Sequence, residues 1–229
     1  MREGGMFSAI IFDMDGVIAD SEPLHIKAER MTFSPFELDI SDEEFQAYMG
    51  RTPKILLQGI IEKYGLETTA DELYPVHKQH LLALYQNEVE PISGALDTVR
   101  SFSKMVPAVG LASSSDVALI ASVLDRFGLR EYFDCTVSGE QVENIKPHPE
   151  IFLTAAEQLM VSPEHCLVIE DSTAGIEAAK AAGMACIGFR SPNSHNQEYD
   201  KADLTADTFT EIDYDTLKVL WEARKYCGQ

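Results

Sequence analysis

What most constrains this chain is an alternation of short apolar runs with segments of helical periodicity. Residues 8–12 read as a strand that stops at Asp13. Residues 108–112 read as a second that stops at Ser113, and 166–169 as one that stops at Glu170 and Asp171. Residues 185–187 form another, and 135–137 a weaker one. Each run is bounded by turn or cap residues, as strands buried on both faces are. Helical patterns fall between them. Asp116 opens one with apolar positions at Val117, Ile120, Leu124 and Phe127, closed by Gly128. Pro147 and Pro149 suit the first turn of another, with Phe152, Ala155, Ala156 and Leu159 inward. Ile176, Ala179 and Ala182 mark a third, closed by Gly183. The alternation predicts a doubly wound α/β sheet of the Rossmann kind.

Residues 19–86 break the alternation, with no strand-like run. Ser41–Glu44 and Thr69–Glu72 have the form of capping boxes, and Leu56, Leu57, Ile60, Ile61 and Tyr64 make a helical stripe stopped by Gly65. The expected organisation is therefore a catalytic core from residues 1–18 and 87–229, interrupted by an all-helical cap domain at 19–86. The acidic stretch 198–215 reads as loop-rich.

Composition narrows the function. At 229 residues and 45% hydrophobic, the chain can bury a sizeable core. No window approaches 18 uninterrupted apolar residues, and the N-terminus lacks the features of a signal peptide. A net charge of -20 repels nucleic acid and anionic membrane. Cys135, Cys166, Cys186 and Cys227 show no C-x-x-C pairing, and the six histidines are scattered, so reduced thiols are expected and zinc is not. These features predict a cytoplasmic protein with neither nucleic acid nor membrane as partner; they do not choose between a monomer and a homodimer.

In an open parallel sheet, ligands bind beyond the carboxyl ends of the strands. The first strand delivers Asp13 there, and Asp15 follows across a turn eased by Gly16. A D-x-D alone is equally a turn or a cap. Three more predicted strand or helix boundaries carry fitting groups, however. Ser113, Ser114 and Ser115 offer hydroxyls and backbone N–H groups to an anion, although Ser114 and Ser115 also suit a plain N-cap run. Lys146, held between Ile145 and Pro147, offers a point charge to a phosphate. Glu170 and Asp171 are hard-oxygen donors of the kind a divalent cation takes.

These motifs resemble the haloacid dehalogenase superfamily, in the branch with a helical cap that holds beta-phosphoglucomutase and many sugar-phosphate phosphatases. The matching segments are Asp13–Pro23, Ser113, Lys146–Phe152 and Val168–Ile176. The resemblance implies that Asp13 is a nucleophile forming an aspartyl-phosphate and that Asp15 is the general acid and base. It implies magnesium on Asp13, the Asp15 carbonyl and Asp171, helped by Glu170, with Ser113 and Lys146 gripping the phosphoryl group. Asp15 argues for phosphoryl transfer, since the true dehalogenases of the superfamily lack that residue.

Phosphatase and mutase share all these residues. Mutases resemble one another in a Gly-Val-Ser-Arg cap segment and a Lys-Asn after the serines. Here Gly50-Arg51-Thr52-Pro53 and Asp116-Val117 stand in those places. Arg51 and His25 are candidate substrate-binding residues with Ser114, and Lys78 is a weaker one; each is also an ordinary helix-surface residue in the making. The departures favour a phosphatase of a small phosphorylated metabolite such as a sugar phosphate, with a phosphosugar mutase as the alternative. A signalling receiver domain would lack the helical insert and Asp15. A non-catalytic binder would not need every catalytic position filled.

Overall fold

The computed structural model describes residues 6–41, 44, 45, 48, 52–194 and 196–227. The chain divides into two compact units, Met1–Asp20 with Glu90–Gln229, and Ser21–Val89.

The first unit is built on β1 (Ala9–Phe12), β4 (Ala108–Ser113), β5 (Cys135–Ser138), β6 (Cys166–Glu170), β7 (Ala185–Phe189) and β8 (Leu204–Ala206). These form one sheet in the order β5-β4-β1-β6-β7-β8, with every pairing parallel. Strand β1 lies at the centre, with Phe12 opposite Leu111 on one side and Ile169 on the other. All four residues of β1 and all five of β6 and β7 are buried. That is why these strands read as continuous apolar runs and not as alternating ones. Since β4 and β6 flank β1 on opposite sides, the winding direction reverses at β1, and the carboxyl end of β1 faces the crevice where such sheets bind ligands.

Helices Val117–Phe127, Glu150–Gln158 and Thr173–Ala181 follow β4, β5 and β6. Gly128 and Gly183 end their stretches at φ 61° and 78°, a conformation that costs other residues a clash at Cβ. In the first of these helices the buried face is Leu119, Ile120, Val123 and Leu124. Val117 is half exposed and Phe127 is only half-buried, so the buried stripe differs from the expected one at its two ends.

Two strand features depart from the sequence reading. A short antiparallel pair joins β2 (Ala19–Asp20) to β3 (Glu90–Pro91). Two residues per strand carry no periodicity, so the stretch beginning at Ala19 reads as strandless. Strand β8 lies within the acidic segment read as loop-rich. It is an edge strand of three residues with only Ala206 buried, too little apolar content to register.

The second unit contains helices Glu22–Phe33, Pro53–Tyr64 and Ala70–Asn87. Its core is Phe33, Ile40, Phe45, Leu56, Leu57, Ile60, Ile61 and Leu73. Thr69 and Glu72 cap the last helix reciprocally: the Glu72 N–H donates to Thr69 Oγ1 at 3.3 Å and the Thr69 N–H to Glu72 Oε2 at 2.9 Å. Ser41 accepts from the Glu44 N–H at 3.3 Å. Asp42 and Glu43 of that second box lie outside the described residues. No helix among the described residues is long and apolar enough to cross a membrane.

Candidate active site

The ends of β1, β4 and β6, with the loop that follows β5, bring polar and charged groups to one place. Asp13 leaves β1 with its N–H bonded to the Ile169 carbonyl at 3.0 Å, so the two central strands fix its backbone. Its carboxylate takes Lys146 Nζ at 2.5 Å. The same ammonium donates to Glu170 Oε1 at 2.7 Å and to the Ala112 carbonyl at 3.4 Å, and lies 4.9 Å from the centre of the Phe152 ring. Asp13, Lys146 and Glu170 are all buried. Ionised groups persist in such a place only when paired.

Asp15 is held differently. The chain turns back on itself after Asp13: the N–H groups of Ile18 and Ala19 donate to the Met14 carbonyl, and Gly16 N–H to the Ala19 carbonyl. Gly16 adopts φ 75°, and a Cβ there would collide with Asp171. The turn therefore needs glycine twice over, for its dihedral and for the acid behind it. At the end of β4, Ser113 Oγ donates to Asp15 Oδ2 at 3.2 Å, and Ser115 Oγ donates to the same oxygen at 2.6 Å.

Glu170 and Asp171 are adjacent in sequence but differently engaged. Glu170 gives Oε1 to Lys146, while Oε2 accepts the Ser172 N–H at 2.6 Å and the Ser172 hydroxyl at 2.9 Å. Its side chain crosses Gly175, where a Cβ would overlap the carboxylate. Asp171 accepts the Ser194 hydroxyl at Oδ2, and its main-chain carbonyl accepts Tyr199 OH at 3.0 Å.

Three buried carboxylates thus surround one ammonium. Burial, and then the neighbouring charges of Glu170 and Asp15, push the Asp13 carboxyl up to about 8 against the pull of Lys146. Burial, then Glu170 and Asp13, raise Asp171 as well. Burial works to lower Lys146, but Asp13 and Glu170 outweigh it and hold the ammonium charged. The acids exceed what a single lysine can neutralise, and a further cation here would restore their ionised forms. Every available donor is a hard oxygen, the chemistry that suits magnesium.

Of the residues singled out in the sequence, Asp13, Asp15, Ser113, Lys146, Glu170 and Asp171 meet within this unit. Ser114 is exposed, and it is Ser115 that reaches Asp15. His25 belongs to the helical unit, where its Nε2 lies 3.2 Å from Tyr85 OH. Lys78, in the same unit, stands 5.7 Å from the Tyr74 ring centre. Arg51 lies outside the described residues. Ser115 is one of the three hydroxyls the sequence places at the end of β4, whereas the sequence reading picks out neither Ser194 nor Tyr199. The segment Ser191-Pro192-Asn193-Ser194 after β7 could have been flagged by the same rule that flagged the other strand ends.

A family model for haloacid dehalogenase-like hydrolases matches residues 10–189. The fructose-1-phosphate phosphatase of Escherichia coli is 35% identical over 185 residues, which is 80% of this chain and 97% of that protein. The phosphorylated carbohydrates phosphatase of Thermotoga maritima is 36% identical over 180 residues, 77% of this chain and 82% of that one. Among solved structures, the beta-phosphoglucomutase of Clostridium difficile matches with a TM-score of 0.74 at 28% identity, covering 98% of this chain and all of that one.

Proposed function

The chain belongs to the haloacid dehalogenase-like hydrolase family, and on that premise we propose that it is a magnesium-dependent phosphatase of a small phosphorylated sugar or similar metabolite. One observation carries the reading: a buried Asp13 on Lys146, two residues before an Asp15 held by two serine hydroxyls. A net charge of -20 repels a phosphate at long range, so capture depends on local cations. Relatives named for fructose-1-phosphate and for phosphorylated carbohydrates support the substrate class. Buried, unpaired thiols at Cys135, Cys166 and Cys186 support a cytoplasmic location.

In the first half-reaction an Asp13 carboxylate oxygen attacks phosphorus and the bond to the sugar oxygen breaks. Asp15 gives its proton to that leaving oxygen. In the second half, Asp15 takes a proton from water as the water oxygen attacks the aspartyl-phosphate, releasing phosphate and restoring Asp13. Ser113 and Ser115 hold the Asp15 carboxyl in one orientation through both proton transfers. Lys146 carries positive charge to the oxygens of the phosphoryl group, and Glu170, both of whose oxygens are engaged, holds that lysine in place. Magnesium fits the Asp13 carboxylate, the Asp15 carbonyl and Asp171, and would offset the repulsion between Asp13 and an incoming phosphate. Among the described residues no three acidic, histidine or cysteine side chains already converge on a metal position. Magnesium needs only one or two carboxylates, with water and substrate phosphate completing its shell.

A second reading, a phosphosugar mutase, draws on the likeness to the Clostridium difficile enzyme. The chemistry differs only in what accepts the phosphoryl group from Asp13, a sugar hydroxyl instead of water. A screen of sugar phosphates for released phosphate, run beside a coupled assay for beta-glucose 1-phosphate isomerisation, separates the two. The expected result is phosphate release that stops with chelator and returns with magnesium. Full activity in excess chelator would overturn the metal assignment, and isomerisation outrunning hydrolysis by orders of magnitude would overturn the phosphatase.

A further inference from the structure

The loop after β7 fastens both the side chain and the main chain of Asp171. Ser194 Oγ donates to Asp171 Oδ2, and Tyr199 OH donates to the Asp171 carbonyl. The loop is itself tied down at several points. Asn193 Nδ2 donates to Asp20 Oδ1 at 2.7 Å. Gln197 Oε1 accepts the Thr173 N–H at 2.8 Å and the Thr173 hydroxyl at 3.0 Å, and the Glu198 N–H donates to Thr173 Oγ1 at 2.7 Å. The Ser194 N–H closes a turn onto the Ser191 carbonyl at 3.3 Å. Neighbouring glycines make room for these contacts. A Cβ on Gly188 would press on the Tyr199 ring at 2.8 Å, and one on Gly16 would meet Ser194 Oγ at 3.0 Å as well as Asp171.

We propose that Ser194 is a positioning residue for the cation site, orienting Asp171 as a metal ligand through its hydroxyl; this rests on the magnesium reading above. A carboxylate ligand binds a small hard cation well only if it is held in one rotamer with its lone pairs aimed correctly. Partners behind such ligands are worth on the order of 10- to 100-fold in metal affinity. Ser194 has the required position. It engages one oxygen of Asp171 and leaves the other oxygen to a cation. It also sits on a loop whose anchors at Asp20 and Thr173 are independent of Asp171. A donor on a loosely held loop would follow the carboxylate, whereas this one constrains it.

The test compares wild type with Ser194→Ala by calorimetric titration with magnesium chloride and by steady-state kinetics over a range of magnesium concentrations. Magnesium should bind Ser194→Ala about 10-fold or more weakly. At saturating magnesium kcat should recover to near wild type, with KM for the phosphate ester unchanged. Tyr199→Phe, which frees only the main-chain carbonyl, should weaken magnesium less. Equal affinity in wild type and Ser194→Ala would overturn the proposal. So would a kcat that stays depressed at saturating metal, since that marks general damage to the site. If wild type itself binds no magnesium, the magnesium reading has failed, and this inference with it.

Discussion

The two units of the chain bury polar groups in opposite ways. In the sheet unit every buried charge of the site has a partner: Asp13 and Glu170 share Lys146, and Asp171 takes Ser194. In the helical unit, two buried titratable groups, His77 and Glu29, lack such compensation among the described residues. His77 is 2% exposed, and neither ring nitrogen has a hydrogen-bond partner among the described residues. Glu29 is 8% exposed and its charged neighbour is another acid, Glu22. In the first, Lys146 works against the burial that pushes Asp13 up to about 8; in the second, no opposite charge works against burial. Burial, reinforced by Glu22, pushes Glu29 up to about 8, while burial, reinforced by His25 and His80, pushes His77 down to about 4. Substitutions in the sheet unit should therefore change turnover first, and those in the helical unit should change stability and its pH dependence.

The largest expected effect breaks the site without breaking the fold. Asp13→Asn removes the proposed nucleophile, and turnover should fall by several powers of ten in a phosphate-release assay. Melting should hold or rise, because the change also removes one of the three acids crowding Lys146. A variant that keeps more than about a tenth of the wild-type rate would sink the aspartyl-phosphate mechanism.

The same contrast explains what the sequence reveals. Asp13, Ser113, Glu170 and Asp171 are legible because each ends an apolar run, and parallel sheets put all such ends on one side. Whether Ser114 or Ser115 turns toward Asp15 depends on the backbone of a single turn, which residue type does not specify. Ser194 belongs to a loop whose nearness to Asp171 follows from β7 pairing with β6, a fact of topology. The buried Glu29 and His77 are harder still. On helix Glu22–Phe33 the positions Glu22, His25, Glu29 and Thr32 make a polar stripe that by composition reads as a solvent face. Only the packing of that helix against Ala70–Asn87, seen in the His25–Tyr85 and Thr32–His80 contacts, shows the stripe turned inward.

Glu29 sharpens the comparison by its pH dependence. Its carboxyl titrates at about 8 folded against an ordinary value of 4.5. Because the folded value is the higher, its contribution to stability is intact below about pH 4.5. That contribution is lost as pH rises, with the loss complete above about pH 8. Glu29→Gln keeps the shape and cannot ionise. The variant should exceed wild type in stability at pH 8.5, by on the order of 3 kcal/mol in urea unfolding, and the gain should vanish near pH 4.5. A gain that is constant with pH would mean that the side chain's packing, and not its charge, was at fault.

The smallest effect comes from His77 and runs the other way with pH. Its folded value of about 4 lies below the ordinary 6.5, so its contribution is intact above about pH 6.5 and is lost as pH falls through 4. Neither nitrogen of the neutral ring has a hydrogen-bond partner among the described residues. An apolar residue of similar reach has neither cost, because removing an unsatisfied buried polar group is neutral or stabilising when its volume is kept. His77→Leu should therefore gain about 1 kcal/mol at pH 7 and a larger margin at pH 5, where wild type begins to charge a buried ring. The pH range separates the two substitutions: the advantage of Glu29→Gln grows toward alkali and that of His77→Leu toward acid. If His77→Leu instead loses stability at pH 7, the imidazole has a partner in solution. The contrast between a compensated sheet unit and an uncompensated helical unit would then fail at its clearest residue.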